Sequence, residues 1–158
     1  MAQFENYPQN LKIRQENAKI LETGLGEIEG IVPVNGDKNV TSNSYHKFLL
    51  RYKKDHFEEK SKNTIIEALQ AEGIPAHPGY TLPLYKQPVF IKGTFGACGI
   101  AETTLPDYGN LHLRETETAC SEEAVWISQN VLLGTKKDMQ DVIDSFQKVK
   151  ENIKELKQ

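Results

Sequence analysis

The strongest folding instruction in the chain lies near its end. After Thr135, apolar residues fall at Met139, Val142, Ile143, Phe146, Val149, Ile153 and Leu156. Steps of three and four put them on one face of a helix. A helix with a single apolar face must lay it against another layer, so the rest of the chain has to supply that layer. Thr135, with Asp138 three residues on, forms an imperfect capping box at the start. The lysine-rich end, Lys148 to Lys157, complements the negative pole of the same helix.

The partner layer is legible upstream. From Phe4, the positions Leu11, Ala18, Leu21, Leu25 and Ile28 form a second helical stripe. Arg14, Gln15, Glu16, Lys19 and Glu22 read as its exposed side, and Gly24, Gly26 and Gly30 as its loosening and end. Ile31 to Val34 is a short strand candidate, followed by turn chemistry in "NGDKN". "SYHKFLLRY" (residues 44–52) is rich enough in aromatic and aliphatic residues for a longer strand. Ser61 is positioned to cap a helix over "KNTIIEALQAE", with Ile65, Ile66 and Leu69 inward and Gly73 as the stop. "GIPAHPGY" reads as a turn and a strand broken by prolines. Thr81 to Gly109 has little periodicity and reads as a long loop, the kind that is usually functional or mobile. "LRETETACSEE" reads as a polar helix and "AVWISQNVLL" as containing a strand. Helices alternating with short strands imply a two-layer domain with helices on a small sheet of three or four strands.

Composition removes several functions. With 19 basic and 22 acidic residues, the net charge of −3 lacks the basic excess of a general nucleic-acid binder. No apolar run approaches the ~18 residues of a membrane helix, and the first ten residues carry no apolar signal segment. Cys98 and Cys120 follow no pattern, which favours reduced thiols in a cytoplasmic protein over a disulfide. The chain's 158 residues suit one domain.

The usual catalytic signatures do not form. "GLGEIEG" has one residue too many between its glycines for a dinucleotide turn and closes a helix instead of opening one. His46, His56, His77 and His112 have no metal-ligand spacing, alone or with the cysteines. The pairs Glu58–Glu59 and Glu122–Glu123 read as solvated surface. Lys47 shares a strand face with Tyr45, Leu49 and Arg51, opposite the more apolar face of His46, Phe48, Leu50 and Tyr52. That places its amine toward solvent or an interface, where nothing desolvates it as a Schiff-base lysine requires. In "HPGYTLPLYKQPVF", His77, Tyr80 and Tyr85 are polar-tipped aromatics on a proline-stiffened loop. They suit either the lining of a small-molecule pocket or the cover of a sheet edge.

Four stretches together carry a resemblance. They are "RQENAKILETGLGEIEGI", "SYHKFLLRY", "IIEALQAEGIPAHPGYTLPLYKQPVF" and "ACSEEAVWISQNVLLGTKKDMQDVIDSFQKV". In that order they resemble the C-terminal part of the DegT/DnrJ/EryC1/StrS family of pyridoxal-phosphate-dependent aminotransferases. The resemblance runs from about Phe4 to Val149. Its most specific part is the last, where Trp126, Gln129, Asn130 and Leu132-Leu133-Gly134 precede the capped helix.

The resemblance implies an α+β fold, the small domain of a fold-type I aminotransferase. It implies transfer of an amino group from glutamate or glutamine to a keto-sugar or keto-cyclitol in the complete enzyme. It also implies that this chain lacks the large domain, which supplies the Schiff-base lysine, the aspartate paired with the pyridinium nitrogen and most phosphate ligands. Lys47 is not at the catalytic lysine's position, so pyridoxal phosphate is not expected to bind stably here. Tyr80 and Tyr85 are the implied substrate-side contacts, with Asn110 and His112 beside them; Trp126 reads as core. The opening "MAQFENYP" resembles the middle of the helical connection leaving the large domain. The expected partners are a large-domain half or a second copy, and a sugar-type small molecule. Two other readings stay open: a free-standing module binding a sugar nucleotide or a protein, and a self-associating remnant pairing through Phe4 and Leu11.

Overall fold

The computed structural model describes residues 2–34, 36–93 and 106–156. Its helices are α1 (Ala2–Glu5), α2 (Tyr7–Gly26), α3 (Lys62–Ala71), α4 (Pro88–Ile91), α5 (Arg114–Thr118) and α6 (Lys136–Glu151). Its strands are β1 (Ile31–Pro33), β2 (Lys47–Tyr52), β3 (Ala76–His77) and β4 (Ala124–Ser128). The strands form one antiparallel sheet in the order β1-β2-β4-β3. This is the small α+β domain that the sequence implied.

Strict alternation builds the sheet. Along β2, Phe48, Leu50 and Tyr52 are buried while Lys47, Leu49 and Arg51 are not. Along β4, Val125 and Ile127 are buried between Ala124, Trp126 and Ser128. The register pairs Leu50 with Val125 and Phe48 with Ile127, so both strands turn the same apolar rows inward. Pro33 is tolerated because β1 is an edge strand. Onto the inner face pack Ala18, Leu21 and Leu25 of α2, Ile65, Ile66 and Leu69 of α3, and Met139, Val142, Phe146 and Val149 of α6. Ile153, in the turn Ile153–Glu155, extends the last stripe.

The helix ends follow their expected chemistry. The Ser61 hydroxyl accepts the Thr64 N–H at 3.1 Å. Gly73, at φ +88°, ends α3 as expected. The Thr135 box is complete: Thr135 Oγ1 accepts the Asp138 N–H and Asp138 Oδ2 accepts the Thr135 N–H. Asp therefore closes the box that was read as imperfect.

Several readings need correction. The first helix is two pieces, with Phe4 on α1 and 75% exposed. Arg14, read as exposed, is only 7% exposed and lies in the buried stripe of α2 with Asn17. Gly24 does not loosen α2; it lets α6 approach, since a Cβ there would stand 2.3 Å from Ile143 Cδ1. The long-loop reading over Thr81–Gly109 gives way to helical turns at Leu84–Lys86, α4 and Tyr108–Asn110. Part of that stretch, 94–105 with Cys98, lies outside the described residues. Among the described residues, no helix is long and apolar enough to cross a membrane.

Candidate functional site

The sheet's outer face carries Lys47, Leu49 and Arg51 of β2 and Trp126 of β4. Trp126 belongs to this face, half-buried, and not to the core as read. Alternation is the reason: its neighbours Val125 and Ile127 take the inward positions. Across the ladder it meets Leu49 on one side and His77 on the other. The Tyr80 ring stands edge-on to it, centroids 5.0 Å apart at 87°. Gly79 makes this possible. Its φ is +68°, and a Cβ there would lie 2.7 Å from the indole, so only glycine lets the chain cross the ring.

Tyr85 and His112 converge on a residue the sequence did not single out, Glu117. The Tyr85 hydroxyl donates to Glu117 Oε1 at 2.5 Å and accepts the Leu113 N–H at 3.1 Å. Lys86 Nζ is 3.0 Å and His112 Nδ1 3.7 Å from the same oxygen. The hydrogen bond from Tyr85, then that from Lys86, holds the Glu117 carboxyl down at about 2. Burial first, and then the bond to Glu117, pushes the Tyr85 hydroxyl up. Tyr85 is thus a buried clasp, 8% exposed, joining the Leu84–Lys86 turn to α5. Asn110 stands apart, its side chain donating to Asp107 Oδ2 at 2.7 Å. Tyr80 is 72% exposed. Glu117 lies among many acidic residues in "RETETACSEE", and no local pattern marks it.

The charged pairs are not all solvated surface. Glu123 is 8% exposed. Arg51 Nε and Nη2 each reach its Oε2 at 2.7 Å, and Lys53 Nζ reaches Oε1 at 2.5 Å. Burial pushes its carboxyl up, but the bonds from Arg51 and Lys53 outweigh that and leave it lowered. Glu122, 2.9 Å from Lys54, and the pair Glu58–Glu59 are exposed, as read.

Two lysines, Lys47 and Lys62, are held by neutral oxygens. Lys47 Nζ donates to Ser128 Oγ at 3.1 Å on the outer face. Lys62 is the buried lysine among the described residues, and burial lowers its pKa. Its Nζ is held by the carbonyls of Cys120 at 2.7 Å and Pro78 at 3.2 Å. Neither Lys47 nor Lys62 is ion-paired with a carboxylate among the described residues.

Two motif pieces explain each other. Arg14 Nη1 donates to Gln129 Oε1 at 2.6 Å. Asn17 Nδ2 donates to the Leu132 and Gly134 carbonyls at 2.9 and 2.8 Å. The "RQENA" and "QNVLLG" stretches therefore bind one another across 115 residues of sequence.

A layout of helices on a small antiparallel sheet, with these paired motifs, defines a small α+β domain. The model of the DegT/DnrJ/EryC1/StrS aminotransferase family matches residues 1–146, and the chain belongs to that family. It is 29% identical over 147 residues to a Streptomyces kanamyceticus protein assigned as an L-glutamine:3-amino-2,3-dideoxy-scyllo-inosose aminotransferase, covering 90% of this chain and 35% of the relative. It is 29% identical over 160 residues to the L-glutamine:2-deoxy-scyllo-inosose aminotransferase of Micromonospora echinospora, covering 99% of this chain and 37% of the relative. Among solved structures it is similar to 3-amino-5-hydroxybenzoic acid synthase, with TM-score 0.69, 22% identity, and 92% and 35% of the two chains covered. It is also similar to Helicobacter pylori PseC, an aminotransferase of pseudoaminic acid biosynthesis, with TM-score 0.65, 19% identity, and 96% and 35% covered. The chain spans a little over a third of the length of these curated relatives.

Proposed function

We propose that this chain is the small-domain part of a pyridoxal-phosphate-dependent aminotransferase acting on keto-sugars or keto-cyclitols, and that it is inactive by itself. The family match over residues 1–146, set against about a third of the relatives' length, carries this reading. The chemistry needs a lysine and a carboxylate preorganised around the cofactor, and Lys47 and Lys62 are committed elsewhere. In this reading 1–158 is a single small domain, a large domain supplies the cofactor lysine, and the assembled enzyme is a dimer in the cytoplasm. The unpatterned Cys98 and Cys120 support that compartment.

The surface suits such a role. Tyr80, Leu82, Leu84, Val89, Ile91 and Leu113 are all exposed, and all fall between 80 and 113. A concentration of exposed apolar side chains on connecting segments marks a surface that another body or a ligand covers. Tyr80 and His112 would meet the sugar-type substrate. Tyr85, through Glu117, and Asn110, through Asp107, would hold the segments that present them.

The test is a chimera. The C-terminal third of the 2-deoxy-scyllo-inosose aminotransferase is replaced by this chain, and transamination from glutamine is followed. The chain alone with pyridoxal phosphate is expected to show no turnover, while the chimera does. Tyr80→Ala in the chimera is expected to raise KM with little change in kcat. Turnover by the chain alone, or a folded, cofactor-loaded chimera that turns over no keto-cyclitol or keto-sugar, would overturn the proposal.

A further inference from the structure

Lys62 is buried where a lysine is unfavourable. It is 5% exposed, it begins α3, and no carboxylate among the described residues pairs with it. A cation in the first turn meets the positive pole of its own helix. A buried ammonium is also costly unless it is well bonded. The bonds it makes run away from α3. Nζ donates to the Cys120 carbonyl at 2.7 Å and to the Pro78 carbonyl at 3.2 Å, 58 and 16 residues away in sequence.

The two carbonyls belong to the two segments that lead to Trp126. Pro78 lies between His77, which pairs with Trp126 across the sheet, and Gly79, which crosses the indole and sets Tyr80 against it. Cys120 lies in a single π turn (Ala119–Glu123) that continues α5 and hands over directly to β4. Such turns occur frequently at functional sites. The carbonyls at the end of a helical run form a negative pole, where a cation is favoured. Lys62 thus forgoes a good position on its own helix for one that ties the α5–β4 connection to the Tyr80 segment. The same α5 carries Glu117, the partner of Tyr85.

We propose that Lys62 is a positioning residue for the substrate face: by holding the Pro78 and Cys120 carbonyls together, it sets where Tyr80 stands against Trp126. One ammonium reaches both oxygens, so a shift of either segment breaks a charge-assisted hydrogen bond. Tyr80 is 72% exposed, so burial of its own side chain does little to fix it. The backbone just before it must do so, and Pro78 is the residue that Lys62 holds. The consequence for a substrate rests on the function proposed above; the coupling of Lys62 to Tyr80 is a property of this chain alone.

The experiment compares Lys62→Met, which nearly keeps the stem and removes the donors, with Lys62→Arg, which keeps charge and donors. In the 158-residue chain, Lys62→Met is expected to red-shift the emission of Trp126, the single tryptophan, and Lys62→Arg to keep the parent's emission. In the chimera described above, Lys62→Met is expected to raise KM for the keto substrate several-fold at nearly constant kcat. Adding Tyr80→Ala to Lys62→Met is expected to raise KM no further than Tyr80→Ala does alone, because both changes act through one side chain. If Lys62→Met does not fold, Lys62→Gln, with a shorter neutral donor, is measured in its place under the same expectations. A purely structural Lys62 would give lower stability with the parent's emission and KM. That result, additive KM effects of the two changes, or a loss in Lys62→Arg equal to that in Lys62→Met would overturn the proposal. A chimera without turnover would overturn the function proposed above, and the emission of the chain would still decide this one.

Discussion

Asn17 offers the most direct test of how the two halves of this fold are joined. It is 4% exposed on α2, and its amide donates to the carbonyls of Leu132 and Gly134. Those carbonyls belong to the turn before α6, so the bonds set where the C-terminal helix begins. Asn17→Leu keeps roughly the side chain's volume and removes both donors. Each bond contributes about 1 kcal/mol net, and leaving buried carbonyls unpaired adds desolvation, so the loss should total about 2–4 kcal/mol. With a urea m-value of about 2 kcal/mol/M, the unfolding midpoint should fall by about 1–2 M. Asn17→Asp places a charge against two carbonyl oxygens and should cost more than Asn17→Leu at neutral pH. Equilibrium urea unfolding measures all three proteins. A midpoint for Asn17→Leu within about 0.2 M of the parent would mean that the amide bonds do not hold the two motifs together.

Other perturbations probe single contacts. Gly24→Ala gains about 1 kcal/mol of helix propensity but sets a methyl against Ile143, costing about 1–3 kcal/mol. Thermal unfolding should show net destabilisation in the parent and a smaller loss when Ile143→Val removes Cδ1 and leaves Cγ1, 2.9 Å from the new methyl. Gly79→Ala should push the Tyr80 segment off the indole and red-shift the emission of Trp126, the chain's single tryptophan; unchanged emission would show that the crossing is not needed. Glu117 has a carboxyl pKa lowered from 4.5 to about 2 in the fold, so its contribution is complete above pH 4.5 and is lost as pH falls toward 2. The stability difference between the parent and Glu117→Gln should shrink over that window; a difference independent of pH would remove the clasp as its cause.

Much of the fold was legible because its instructions are local. The α6 stripe, the Ser61 and Thr135 caps, the Gly73 stop and the alternation in β2 each depend on neighbours within a few residues. The misreadings share a different origin. Arg14 sits one step from a polar run and looks exposed until Gln129, 115 residues away, is placed beside it. Trp126 looks like core because it is large, yet period-two alternation had already assigned the inward positions to Val125 and Ile127. Glu123 resembles its neighbour Glu122 in sequence, and only the arrival of β2 with Arg51 and Lys53 separates them. At the candidate site, Tyr80 and Tyr85 stood out as polar-tipped aromatics, but their different situations, one open and one clasped to Glu117, depend on α5 folding back against the Leu84–Lys86 turn.

The central claim is that this chain carries the family's small domain without a cofactor lysine. Incubation with pyridoxal phosphate, borohydride reduction and mapping of the adducts by mass spectrometry tests it most directly. Scattered, substoichiometric labelling of exposed lysines is expected, with Lys62 protected by its two carbonyl partners. One stoichiometric adduct at a single lysine, Lys47 or Lys62 above all, would contradict the account and make this chain a cofactor-binding protein in its own right.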